Sequence, residues 1–582
     1  VPFAKLPDNA SFLALRQDGS TRDPAATHEK TVWSLASILW DPVEVPETLA
    51  GVENIEARLR RDKFSAFWQD LVERASSQHI ALAKSEEEKA IAALAGHRVP
   101  DACKHLINSK NFRLATLVAT IGGKASVKKD IGQQLKDWQN ANILSEFSQP
   151  IRALYEMLAG NVAVCTGSKG ATPEDRVESF SISKRFGLNW RQALGLRLWY
   201  GALPSEPIEA TVGLFTDDIV NGKENARPLA WYVEEKIPTL WEDTERDNRE
   251  DLLYGLLKIH TFSDAAIQTV LAPANSQLSP VDFRLSWQLS QALTTFNVVK
   301  FDVEKEEVKA RELASTLDEL TLSFASQLTN EGSWLEAIFV LLHLSAADAR
   351  AKSIQGHLAQ FAGRIGVEDS QTFMTLSQSL KIPTSWIWEA KALYMRSVEK
   401  NSTKEVECLI KASSFNEAHH TFAREVAPKT IVELDYDVLR TLLGAFKGQE
   451  HTISEWHLGG QIYSDFLTLV DRLKLRDHRV DVPALERLLA GLPAVVEKSR
   501  KPSFMETVAV ETISGMVAKQ VVALGKTGEV CNQLHGIDPT LTSKQKADLP
   551  KILRLPLTED NYLRHTVDLS LEYYRSAIAL TK

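Results

Sequence analysis

Apolar residues recur along most of this chain at steps of three and four, the spacing that lines one face of an α-helix. In EKTVWSLASILW, which begins at Glu29, the residues Val32, Leu35, Ile38 and Leu39 share a face, and Asp41-Pro42 ends the segment. The same period runs through RDKFSAFWQDLVERA, SEEEKAIAALAGHR, FRLATLVATIGG, QQLKDWQNANIL and SQPIRALYEMLAG. It resumes in PIEATVGLFTDDIV, REDLLYGLLKIHTF, VDFRLSWQLSQAL, KARELASTLDELTLSFASQL and SWLEAIFVLLHLSAADA. Beyond residue 350 come pairs such as TKEVECLIKASSFNEAHHTFARE, two helices around SSFN, and a last helix through TEDNYLRHTVDLSLEYYRSAIAL. Short connections and no fixed repeat length predict an all-α chain, an irregular α-solenoid or a few fused helical bundles. A parallel sheet is excluded, because the β-branched runs it needs are absent.

Two stretches break the helical period. VPFAKLP and SFLALRQ, separated by PDNA, read as two short strands, which on their own are only marginally stable and so need a sheet to join. The helical remainder offers none. The interval from Asn161 to about Arg176, NVAVCTGSKGATPEDR, reads as the best internal loop, with glycine, serine, threonine, proline and charge but no periodicity.

LNWRQALGLRLWYG, residues 188–201, is a helix with marked ends. Asn189 is placed to cap it, Gly201 to take the left-handed position after it, and Pro204 to forbid its continuation. Trp190, Leu194 and Leu198 form a stripe, while Leu196, Trp199 and Tyr200 cover much of the rest, leaving Arg191, Gln192 and Arg197 for water. A helix apolar on so many sides is wrapped by other helices or covered by another protein.

Composition narrows the class. Apolar residues at 44% and charged residues at 25% belong to a core-forming rather than a disordered chain. Scarce glycine, 28 of 582 residues, favours helices. A net charge of −9 without basic clusters argues against direct nucleic-acid binding. Cys103, Cys165, Cys408 and Cys531 show no CxxC spacing, so a reduced compartment and core thiols are expected. No apolar run is long enough to span a bilayer, so no membrane insertion is expected.

Tests for chemistry fail one after another. Gly525-Lys526-Thr527 lacks the first glycine of a phosphate loop, since position 520 is Gln520, and Gly122-Gly123-Lys124 fails similarly; both read as helix ends. His419-His420, His451 and His457 stand in no metal-ligand spacing, and there is no GxSxG elbow. The SEEEK run from Ser85 reads as a capping box with a solvated face, and His343 as a core or interface histidine. No catalytic, cofactor or metal residue is expected. What remains is aromatic: Trp33, Trp40, Trp68, Trp138, Trp190, Trp199, Trp287 and Trp334 lie in apolar helices, as packing residues or as interface anchors.

EKTVWSLASILWDP, VPDACKHLINSKNFRLATLVATIGG, LNWRQALGLRLWYG, VDFRLSWQLSQAL and SWLEAIFVLLHL, in that order, resemble the nucleoporin 96 family, called nucleoporin 145C in fungi. Its members are scaffold subunits of the Y-shaped complex of the nuclear pore, in the nuclear envelope. The resemblance implies a fold-back α-solenoid, the ancestral coatomer element. Residues 1–28 would be a strand segment, 29–90 the first part of a trunk, 91–270 a crown, 271–365 the returning trunk and 366–582 a tail. It implies that the N-terminal strands complete a WD-repeat propeller shared with the COPII coat, burying Phe3, Leu6, Phe12, Leu13 and Leu15 by β-augmentation. The crown would meet nucleoporin 84, with Trp199 and Tyr200 assigned to that partner, and the tail would meet nucleoporins 120 and 85. The family is released from a self-cleaving precursor with an N-terminal serine, so Val1 implies that residues have been removed. The alternatives are a COPII-type vesicle-coat subunit and an all-helical enzyme with a site spread over loops.

Overall fold

In a computed structural model the chain is described at residues 24–46, 54–169, 176–239, 241–262, 266–295, 307–475, 482–498, 501–525 and 554–580. Among these the fold is all-α apart from a few two-residue strands. The chain divides into two compact units, Val1–Ser345 and Ala346–Lys582. The strand residues Phe3, Leu6, Phe12, Leu13 and Leu15 lie outside the described residues.

The first unit opens with the helix Pro24–Trp40, five residues ahead of the Glu29 start that the period suggests. A proline is tolerated in a first turn because its missing N–H would be unpaired there anyway. Val32, Leu35 and Leu39 are buried as expected. The long helix Ile55–Leu82 follows, burying Phe64, Trp68, Val72 and Ser76 at successive steps of four. Phe64 lies 5.1 Å and Trp190 5.8 Å from the Trp68 ring, so aromatic contacts tie this helix to a segment over a hundred residues later. In the next helix, Glu86–Leu94, every residue from Ala90 to Leu94 is buried. Ser85 accepts from the Glu88 N–H, as a capping serine should, although Glu88 itself reaches back to Lys84 N–H. Glu86 binds Lys89 at 2.6 Å and His105 at 2.8 Å, which makes the acidic run an inter-helix tie and not a solvated face.

The expected loop after Asn161 is corrected by the structure. Val164–Cys165 pairs with Phe180–Ser181, and Ser168–Lys169 with Arg176–Val177, both antiparallel. The ladders share one register, and Arg152 from the helix Gln149–Leu158 donates to Thr166 O at 2.9 Å and Glu178 O at 3.3 Å where pairing lapses between them. Gly167 is obligatory here, since a Cβ would sit 2.3 Å from Val177 O. Two-residue strands carry too few β-branched positions to register as an alternating pattern.

Later helices of this unit, Ile208–Val220, Leu252–Thr261, Arg284–Thr295, Glu307–Asn330 and Trp334–Leu341, complete the core. SWLEAIFVLLHLSAADA is not one helix: it stops at Leu341, and His343 is exposed just beyond, its ring edge-on to Trp287 at 5.3 Å.

In the second unit, successive helices pack on their neighbours from Ala347–Phe361 to Glu559–Leu580. The break in TKEVECLIKASSFNEAHHTFARE falls at Ala412–Ser414, with Ser413 left-handed at φ 64°. The helix that follows continues to Val432 despite Pro428, because a π turn over Phe422–Val426 rearranges the hydrogen bonds that a proline would break.

Candidate protein-interaction region

The stretch 188–201 holds Trp199 and Tyr200, the two crown residues that the resemblance assigns to a partner. Asn189 closes a full capping box, its side chain accepting from Gln192 N–H at 2.9 Å while Gln192 accepts from Asn189 N–H at 3.2 Å. The α-helix Trp190–Leu196 then widens into a π turn over Arg197–Gly201. Gly201 is not left-handed, contrary to expectation: the wider turn carries the helix through it, and the chain leaves at Ala202 with φ −73° and ψ 159°.

The residues assigned to water are inside. Arg197 is buried and reaches Asp218 and Glu224, each at 2.9 Å. Glu224 also accepts from Ser183 and from the N–H groups of Asn225 and Ala226. Arg191 pairs with Asp251 at 2.8 Å and lies 3.5 Å from Glu234. A helical period cannot show that carboxylates from distant segments await these cations.

Trp199 and Tyr200 are interior as well, with 7% and 1% of their surface exposed. Trp199 Nε1 donates to Ser65 Oγ at 2.8 Å, and its ring stacks on His97 at 4.7 Å. Tyr200 donates to Leu94 O at 3.2 Å, and burial pushes its hydroxyl pKa far up. Gly122, at φ +78°, fits beneath because a Cβ would lie 2.7 Å from Trp199 O. Neither aromatic offers a face to a partner; both pin the helix to its neighbours. The tryptophan set follows suit, with Trp33, Trp68, Trp190, Trp287 and Trp334 buried and Trp40 and Trp138 half-buried.

The exposed apolar positions lie elsewhere. Phe112 and Ile107 flank the left-handed turn at Lys110, φ 64°, with Phe112 62% exposed. On the final helix Leu563, Val567 and Leu571 stand exposed at steps of four, with Ile578 a further two turns on. Their signal in the sequence was the same apolar period that core residues give, so pattern alone could not separate them. Among the described residues no group of carboxylates, thiols and imidazoles is arranged to hold a metal ion, and no helix is long and apolar enough to cross a membrane. A cavity of about 820 Å³ in the second unit is bordered by His419, Glu455, Tyr463, Lys498 and Glu506. Four of its charged residues are engaged in pairs, Glu455 with Lys498 and Arg424 with Glu506.

Residues 88–394 match the family of nuclear protein 96, Nup96. The chain belongs to the Nup96 family. Nucleoporin NUP145 of Chaetomium thermophilum is 37% identical over 74% of this chain and 21% of its own length. Nucleoporin nup189 of Schizosaccharomyces pombe is 28% identical over 87% of the chain and 27% of its own. The Drosophila melanogaster nuclear pore complex protein Nup98-Nup96 is 27% identical over 76% and 22%. The chain thus spans about a fifth to a quarter of the length of these relatives. The Nup96 match takes in both the Trp190–Gly201 helix and the hairpin before it.

Proposed function

We propose that this chain is a non-enzymatic scaffold nucleoporin of the nuclear pore, working by holding other subunits at fixed separations. The Nup96 match carries this reading. It is supported by an interior in which the buried arginines and carboxylates pair with one another and so stiffen the stack.

In the finer reading the chain serves the Y complex through three joints. The segment ahead of the Pro24 helix, which replaces the expected bound at residue 28, donates strands to a WD-repeat propeller shared with the COPII coat, with Phe3, Leu6, Phe12, Leu13 and Leu15 as the buried anchors. The crown, 91–270, meets nucleoporin 84. Trp199 and Tyr200 act there from beneath, by fixing the helices whose outer residues, Phe112 among them, face the partner. The tail, 366–582, meets nucleoporins 120 and 85, and the stripe Leu563, Val567 and Leu571 is an apolar face of the kind that a partner helix covers. The trunk reading is supported within the first unit by the pairing of Glu29 with Arg284.

Co-expression with the propeller tests the first joint. The full chain should co-purify with it, and a chain beginning at Pro24, which keeps the whole first helix, should lose most of that recovery. Equal recovery would overturn strand donation while leaving family membership untouched.

A further inference from the structure

The left-handed turn at Lys110 joins two short helices, Val99–Asn108 and Phe112–Val118, that pack on each other. The first buries Ala102 and Leu106 and leaves Lys104, Ile107 and Asn108 outside, at the three- and four-residue steps of one helical face. The second buries Leu114, Ala115 and Val118 and leaves Phe112, Arg113 and Thr116 outside. This hairpin therefore shows water two apolar side chains, Ile107 at 50% and Phe112 at 62% exposure, together with the cations Lys104, Lys110 and Arg113.

In a chain of net charge −9, a face that carries free cations alone stands out. The carboxylates that meet this hairpin are already engaged within the chain. Glu86 holds Lys89, His105 and the Asn108 amide, Glu87 holds the Asn111 amide, and Asp101 holds Arg98. Lys104, Lys110 and Arg113 have no ion-pair partner among the described residues.

We propose, on the crown reading given above, that this face docks a partner helix whose apolar ridge is bordered by carboxylates. The ridge covers Ile107 and Phe112, and the carboxylates pair with Lys104, Lys110 and Arg113. Two exposed apolar side chains are too small an area for stable binding alone, whereas rim charges of one sign speed the encounter with a surface of the other. A second copy of this chain does not fit, because a two-fold contact through this face would set like charges against one another.

Stopped-flow association of the full chain with purified nucleoporin 84, the partner proposed for the crown, tests this. Wild type should associate about tenfold more slowly in about 0.5 M salt than in about 0.05 M. Lys104→Glu, Lys110→Glu and Arg113→Glu together should slow association about tenfold at low salt and remove that salt dependence. Lys104→Arg, Lys110→Arg and Arg113→Lys together should follow wild type. Phe112→Ser should instead speed dissociation about tenfold. All four positions are exposed, so every variant should melt with wild type. A charge-reversed chain that associates like wild type overturns the carboxylate border and leaves the crown reading standing; a wild type that does not bind nucleoporin 84 overturns both. Phosphatidylserine vesicles that capture wild type and not the charge-reversed chain would move this face to a lipid surface. Self-association in sedimentation that Phe112→Ser abolishes would move it to a second copy, and either result overturns the proposal.

Discussion

Glu29 and Arg284 stand 255 positions apart and meet through two parallel hydrogen bonds, Nη1 to Oε1 at 2.7 Å and Nη2 to Oε2 at 2.6 Å. Glu29 is almost wholly buried, so the pair closes the first unit at a place where either charge alone would be costly. Arg284→Met should destabilise this unit by about 2–4 kcal/mol in chemical denaturation, and adding Glu29→Met should restore part of that loss. An additive double mutant would show that the two groups do not depend on each other.

Trp68 links the second helix to the stretch 188–201 through its ring contact with Trp190 and through Nε1, which donates to Arg191 O at 2.7 Å. Trp68→Ala should cost about 3–5 kcal/mol of stability. Trp68→Phe should cost less, since it keeps most of the packing and gives up the hydrogen bond.

Trp199 separates a structural role from a partner contact. Gly195 lies against its ring, and a Cβ there would sit 2.5 Å from Cζ3. Gly195→Ala should therefore destabilise the isolated chain by about 1–3 kcal/mol through overpacking. Trp199→Ala should lower the melting temperature with no partner present. An isolated chain that keeps its melting temperature after Trp199→Ala would return this residue to the surface.

His419 makes the second unit sensitive to acid. Its Nε2 accepts from Gly460 N–H at 2.9 Å at the start of the helix Gly460–Leu475, and burial holds the imidazole down to about 4. The native state needs it neutral, so the stability it provides is complete above pH 6.5 and is lost as the pH falls from there towards 4. The full effect is on the order of 3 kcal/mol. Thermal scans between pH 8 and 4 should show the second-unit transition falling in this window, and His419→Gln should flatten that fall. An unchanged pH slope in the variant would assign the acid sensitivity to another group.

Much of the fold was legible because burial and helical period are the same fact seen twice: Val32, Leu35, Trp68 and Trp190 are interior where the sequence puts them on apolar faces. Caps were legible too, since Asn189 and Ser85 act locally. What failed was anything decided by distant partners. Arg191 and Arg197 look solvated until Asp251, Asp218 and Glu224 arrive from elsewhere. Gly201 looks like a stop until a π turn, which no residue type announces, runs through it. Of the candidate site, Trp199 and Tyr200 lie inside, where Ser65 and Leu94 of the same chain take their polar groups, contacts that an apolar period cannot announce.

The Glu29–Arg284 closure also sets an order of events during synthesis. At roughly 5–20 residues per second, the first helix leaves the ribosome on the order of 10–50 s before the arginine that will hold it. For most of that interval Val32, Trp33, Leu35 and Leu39 have the early helix Ile55–Leu82 beside them but lack the cover of Leu252–Thr261. The newborn chain must shelter this greasy ridge on a chaperone or in a provisional cluster until its far end has been made.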